Sequence, residues 1–243
     1  MKRTRVVLLA VVIFAIALVA MLPASLAVSW LLPQADGLAV EDVRGSIWDG
    51  SAERLHWRGR DLGRLDWRLH PSALLRARLE ADVRLQGSVR AQATVARAFS
   101  GLQIHDLQAR LPAQWLDGVL ASPGVQPQGE VELQVADAGF AAAGLSALHG
   151  RAIWHDAAVS GSAVAALGEL HADFALADDG RVHGTVGDAG GPLSANGRFV
   201  VDVPHYRAEI ALAARDPRIA NALQWFGQVQ PDGGRILLLE GPR

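Results

Sequence analysis

The chain has 243 residues, half of them hydrophobic and a fifth charged, with a formal net charge of −2 and no cysteine. A sizeable core can form, while a disulfide framework or a thiolate zinc site is excluded. Lys2, Arg3 and Arg5 stand at the very start, so the remainder is acidic and poorly suited to nucleic acid.

The first element is VVLLAVVIFAIALVAML, residues 6–22, an unbroken apolar run with no charge between Arg5 and Asp36. A helix rises about 1.5 Å per residue and roughly 20 residues cross the hydrocarbon of a bilayer. The run therefore spans if it continues past Pro23 toward Trp30, an aromatic suited to the interface. The basic N-terminus stays in the cytoplasm, which divides the chain into an anchor over residues 1–34 and an exported domain over residues 35–243. A cleaved secretory signal is the alternative, with small Ser25 and Ala27 before Val28. Signal cores run about 7 to 15 residues, and the greater length here favours a retained anchor.

Beyond the anchor the dominant period is two. RLDWRLH places Leu65, Trp67 and Leu69 on one face against Arg64, Asp66, Arg68 and His70 on the other, as in a half-buried strand. ERLHWR repeats this with Leu55 and Trp57 inward, and LEADVRLQ with Leu79, Ala81, Val83 and Leu85. After Gly87 the alternation resumes at Val89, Ala91, Ala93 and Val95, and further strands are predicted over 102–107 and 131–135. GRAIWHDAAV, ELHADFAL, GRVHGTV, GRFVVDV and HYRAEIALAA continue the series, with DDG (178–180) and ANG (195–197) as turn signals between them. Short strands with regular turns indicate antiparallel sheet.

Three interruptions read as helical: HPSALLRA, LPAQWLDGVL and DPRIANALQWFG. In the last, Asp216 is a cap, Pro217 fits the first turn, Gly227 closes the end, and Ile219, Leu223 and Phe226 share a face. No alternation of strand and helix runs through the chain, which argues against a dinucleotide-binding fold. The fold class expected is mainly β: a transmembrane helix, then a curved antiparallel sheet domain with a few short helices.

GDAGGPL, residues 187–193, is one letter from the nucleophile loop of trypsin-like proteases, with Ala189 in place of the serine. That reaction also needs a histidine base and an acid to orient it. His149, His155, His171 and His183 instead fall where a strand shows polar side chains to solvent, so the stretch reads as a turn. HADFALADD has no metal-ligand spacing, and His171 and Asp173 project to one solvent face. Glu41 and Asp42 are neighbours on a strand and point to opposite faces, unsuited to paired acid and base. Catalytic residues, cofactor and metal are therefore all assigned as none.

VRGSIWDGSAERLHWRG, LGRLDWRLHPSALL, GEVELQV, GDAGGPLSANGRFVVDVPHYRAEIALAARDP and LQWFGQVQPDGGRILLLEG follow the anchor in that order. With it, they resemble the N proteins of bacterial type II secretion systems. The resemblance implies a non-enzymatic accessory component of that machine, single-pass in the inner membrane, with its β domain in the periplasm. It also implies the secretin and other components of the system as partners. Membrane-anchored proteins of the AsmA-like kind share Gly-x-x-Trp-x-Gly words and shelter lipid on a curved sheet, which makes lipid binding or transfer the competing function. Trp48, Trp57, Trp67 and Trp154 are the candidate apolar face, either lining such a groove or serving as core. Ile236, Leu237, Leu238 and Leu239 are apolar on both faces of the terminal strand and form the candidate edge for a partner.

Overall fold

In the computed structural model of the chain the described residues are Ala24, 37–116, 125–161, 164–202, 205–223, 227–230 and 234–242. The predicted anchor lies outside them except for Ala24, as does Phe226 of the predicted helical face. Among the described residues no helix is long and apolar enough to cross a membrane. The chain divides into two compact units, one holding residues up to 88 together with 94–98, the other 89–93 and 99 onward.

The first unit contains β1 (Leu38–Gly45), β2 (Asp49–Trp57), β3 (Arg60–Leu69), a 3-10 helix (Pro71–Arg76) and β4 (Leu79–Gln86), each strand antiparallel to the next. The period of two does what the sequence predicts: Leu65, Trp67 and Leu69 are buried while Arg64 and Arg68 are exposed. Ile47, Ala52 and Ala81 join them in one core cluster, and so does Ala24. Trp67, 4% exposed, donates its indole N–H to the Ile47 carbonyl at 3.2 Å. Its ring lies over Gly50, its cross-strand partner, where a Cβ would stand 2.5 Å from Cζ2. A glycine there is required by the ring and not by the backbone angles.

β5 (Arg90–Ala98) contributes residues to both units. The second unit continues with β6 (Gly101–Pro112), a 3-10 helix (Ala113–Leu116), β7 (Val125–Ala141), β8 (Gly144–Gly161), β9 (Ala165–Leu176), β10 (Val182–Asp188), β11 (Leu193–Asp202) and β12 (His205–Ala214). Helix α1 (Pro217–Leu223), the two-residue β13 (Gln228–Val229) and β14 (Arg235–Pro242) complete it. From β6 to β12 each strand pairs antiparallel with its successor. The order then reverses, because β14 pairs with β12 and β13 lies on the far side of β14. Ala157, Val159, Leu167, Leu193, Ala195 and Leu212 form the core, covered by Ile219 and Leu223 of α1 as the predicted helical face requires.

Several sequence expectations shift. ANG is not a turn: Ala195, Asn196 and Gly197 lie within β11, opposite Leu212, Ala211 and Ile210. Gly197 is there for close approach, since a Cβ would meet the Glu209 carbonyl oxygen at 2.4 Å. The strands expected over 102–107 and 131–135 are much longer, and of the helix expected after Pro112 the described part is a single 3-10 turn. Leu55 is buried as expected, but Trp57 is exposed at the strand end, after two register irregularities between Ala52 and His56, with the Arg58 guanidinium over its ring. Glu41 and Asp42 do not diverge: a positive φ of 55° at Asp42 lets both carboxylates reach the Arg54 guanidinium, at 3.5 and 3.3 Å.

Candidate functional site

The four tryptophans of the candidate apolar face are divided between the clusters. Trp48 is half-buried against the first cluster and Trp67 is inside it, whereas Trp154 packs on the second and Trp57 belongs to neither. Trp154 donates its indole N–H to the Gln128 carbonyl at 2.8 Å, which leaves its ring free of polar demands toward the core. Beside it the second unit keeps a hollow of about 110 Å³. Its walls are apolar side chains from five strands and α1, among them Leu170, Val186, Ile210, Leu223 and Leu237. A hollow lined this way offers water no hydrogen-bond partner and suits hydrocarbon.

Leu237 also brings in the candidate edge. Along β14 it faces Ile210, and Leu239 faces Ala208, on the side of the sheet that carries the core. Ile236 and Leu238 stand on the other side, opposite Ala211 and Glu209, and Leu238 is 53% exposed. β12 pairs with β14 over its whole length, from Leu212 opposite Arg235 to His205 opposite Pro242. On its other side β13 meets it only at Arg235 and Ile236. The Ile236 carbonyl faces Gly227, where a Cβ would stand 2.4 Å from that oxygen, so the alternation of a strand turns the backbone groups of Leu238 and Glu240 the same way. Among the described residues no strand pairs with those groups.

The protease-like loop has a different purpose. Residues 189–192 connect β10 to β11, with Gly190 at φ 91°. Asp188 accepts from the Gly190 N–H at 2.9 Å, the Ala195 N–H at 3.0 Å and both terminal nitrogens of Arg215. Arg215 reaches on to the carbonyls of Gly191 and Leu193 at 3.2 and 3.1 Å. Its hydrogen bonds, helped by the two backbone N–H groups, pull the Asp188 carboxyl down to about 2. With its oxygens taken by four donors, Asp188 has none to orient a histidine. The set ties the β10–β11 turn to the start of α1, since the N–H groups of Arg215 and Asp216 both donate to the Pro192 carbonyl, at 2.8 and 3.2 Å.

The solvent side of the second unit is laced with ion pairs. Arg151 bonds Asp173 and, with smaller contributions from His171 and His149, holds that carboxyl below its ordinary range. His155 bridges Glu169 at 2.8 Å and Glu132 at 3.4 Å. Arg181 pairs with Asp202 and Arg207 with Glu240 around an open recess near the β11–β12 turn. Among the described residues no histidine and carboxylate side chains group as ligands for a metal ion.

Residues 36–237 match the family described as type II secretion system (T2SS), protein N. The chain belongs to that family. The match takes in the four tryptophans, the Asp188 clamp and the hollow, and ends inside β14 at Leu237. A curated relative, "Type II secretion system protein N" of Vibrio cholerae serotype O1 (strain ATCC 39315 / El Tor Inaba N16961), is 39% identical over 119 residues. That alignment covers 47% of this chain and 47% of the relative, so the chain spans about half the length of the curated relative it matches. No solved structure matches. Family membership makes the chain a component of the type II secretion system, which the sequence resemblance had implied.

Proposed function

We propose that the chain is a non-enzymatic accessory component of type II secretion, held in the bacterial inner membrane by its N-terminal segment and presenting both β units to the periplasm. There it binds an envelope partner, the secretin or another component of the system, by strand addition to β14. The observation that carries this is the pairing of β14, complete on the β12 side and limited to Arg235 and Ile236 on the other. Unpaired backbone groups on an apolar edge are a template for a further strand. The β1 edge is a poorer template: Glu41, Asp42 and Arg44 are exposed along it, and its ladder is interrupted at Asp42. A second reading, lipid binding, is favoured by the apolar hollow beside Trp154.

One experiment weighs both. Leu238→Pro removes an outward N–H and obstructs an incoming strand, yet proline is tolerated on an edge whose N–H faces away from the sheet. Leu237→Pro strikes the β12 side and serves as the unfolding control. From native membranes, full-length Leu238→Pro is expected to purify folded and without the envelope partner that accompanies the unaltered chain. Retention of the partner at the unaltered level refutes docking at β14. Stoichiometric lipid extracted from that same preparation then favours the second reading.

A further inference from the structure

The first unit ends, on the side of the β1–β2 turn, in a corner built by the 3-10 helix between β3 and β4. Ala73 is buried beneath it, its N–H donates to the His70 carbonyl at 3.1 Å, and the N–H of Ala77 closes on Leu74 at 2.9 Å. A backbone fixed this way presents two consecutive apolar side chains outward, Leu74 at 41% and Leu75 at 90% exposure, followed at once by exposed Arg76. Leu69 and Ala81, which face each other where the corner leaves the sheet, belong to the core cluster.

Ala24 belongs to that cluster as well and is 3% exposed. It stands two positions after Leu22, the last residue of the apolar run. Two residues of chain reach at most about 7 Å, so a bilayer crossed by that run begins next to the unit. An isolated exposed leucine needs no explanation. A rigid pair of them beside the point of membrane entry, with an arginine whose stem can lie along lipid while its head meets phosphate, has the chemistry of an interfacial contact.

We propose that the Leu74–Leu75–Arg76 corner rests in the membrane interface, with the two leucines among the upper acyl chains and the Arg76 guanidinium at lipid phosphates. The proposal relies on the anchor reading given above. Its effect is to fix the orientation of the first unit on the membrane, where a tether alone would leave it free to swing.

The chain has no cysteine, so single cysteines can carry a nitroxide at chosen positions. Full-length protein is reconstituted in phosphatidylethanolamine and phosphatidylglycerol vesicles with labels at Leu75→Cys, Ile13→Cys and Arg60→Cys, the last at the opposite end of the same unit. Collision with oxygen, which partitions into lipid, is compared with collision with a water-soluble nickel chelate. Oxygen is expected to dominate at positions 75 and 13, and nickel at position 60. An oxygen-dominated profile at 13 with a nickel-dominated one at 75 overturns the corner contact and leaves the anchor standing. Nickel dominance at 13 removes the anchor and the corner contact together. Spin–spin broadening at 75 would assign the corner to a second copy of the chain and likewise overturn the proposal.

Discussion

Asp188→Asn isolates the clamp between the β10–β11 turn and α1, because the amide keeps the size of the carboxylate and removes its charge. In the native chain the carboxylate accepts from Arg215 and from the N–H groups of Gly190 and Ala195. Hydrogen bonds to charged groups contribute about 1.5 to 3 kcal/mol each when shielded. Arg215 is nearly half exposed, so water recovers much of that, and a total near 2 kcal/mol is expected for the substitution. For a domain of this size that lowers the melting temperature by about 4 to 8 °C. Fluorescence of Trp154, which packs on the same core as α1, follows the transition in the full chain.

The same substitution has a signed dependence on pH. The Asp188 carboxyl is pulled down to about 2 in the folded chain, so its contribution is complete above the ordinary carboxylate range and is lost as pH falls toward 2. The gap between native and Asp188→Asn is therefore widest near neutral pH and closes on acidification. Equal melting at pH 7, or a gap that persists unchanged at pH 2, refutes the reasoning.

Trp67→Ala removes a side chain buried among Ile47, Ala52, Leu65 and Leu69 and is expected to cost about 3 to 5 kcal/mol, read as a shift of the urea midpoint. A loss below about 1 kcal/mol would show that the ring is not part of a packed core. Gly184→Ala places a Cβ 2.2 Å from Cζ of Phe199, its cross-strand partner, and is expected to destabilise by about 1 to 3 kcal/mol. In a Phe199→Ala background most of that cost should vanish, and its persistence would mean that backbone and not the ring sets the limit at Gly184.

Residues that alternate by themselves were legible in the sequence. RLDWRLH and LEADVRLQ announce their buried faces because each inward residue is large or apolar and each outward one charged or polar. The β7–β8 hairpin is less visible: around AGFAAAGLSALHG the alternation is of alanine, glycine and serine, which carry little contrast in hydropathy, and the strands run well past what the pattern marks. ANG was misleading because its glycine answers to a neighbouring strand and not to a turn. The Asp188–Arg215 clamp joins residues 27 positions apart, and no local period reveals such a partner. GRILLLEG read as apolar on both faces, and its register explains why: Leu237 and Leu239 serve the core side while Ile236 and Leu238 lie across from Ala211 and Glu209.

The reversed order of the last two strands has a consequence for time as well as space. From β6 to β12, each strand made later in the chain finds its mate already present, so the second unit can assemble as a growing ribbon in the direction of synthesis. β13 breaks that rule, since the strand it borders is β14, which follows it. The exposed side of β12 must wait for the final residues of the chain, across a connection that also contains α1 and β13. A nascent or prematurely terminated chain would thus display β12 uncovered, and only a chain finished to its C-terminus seals that seam.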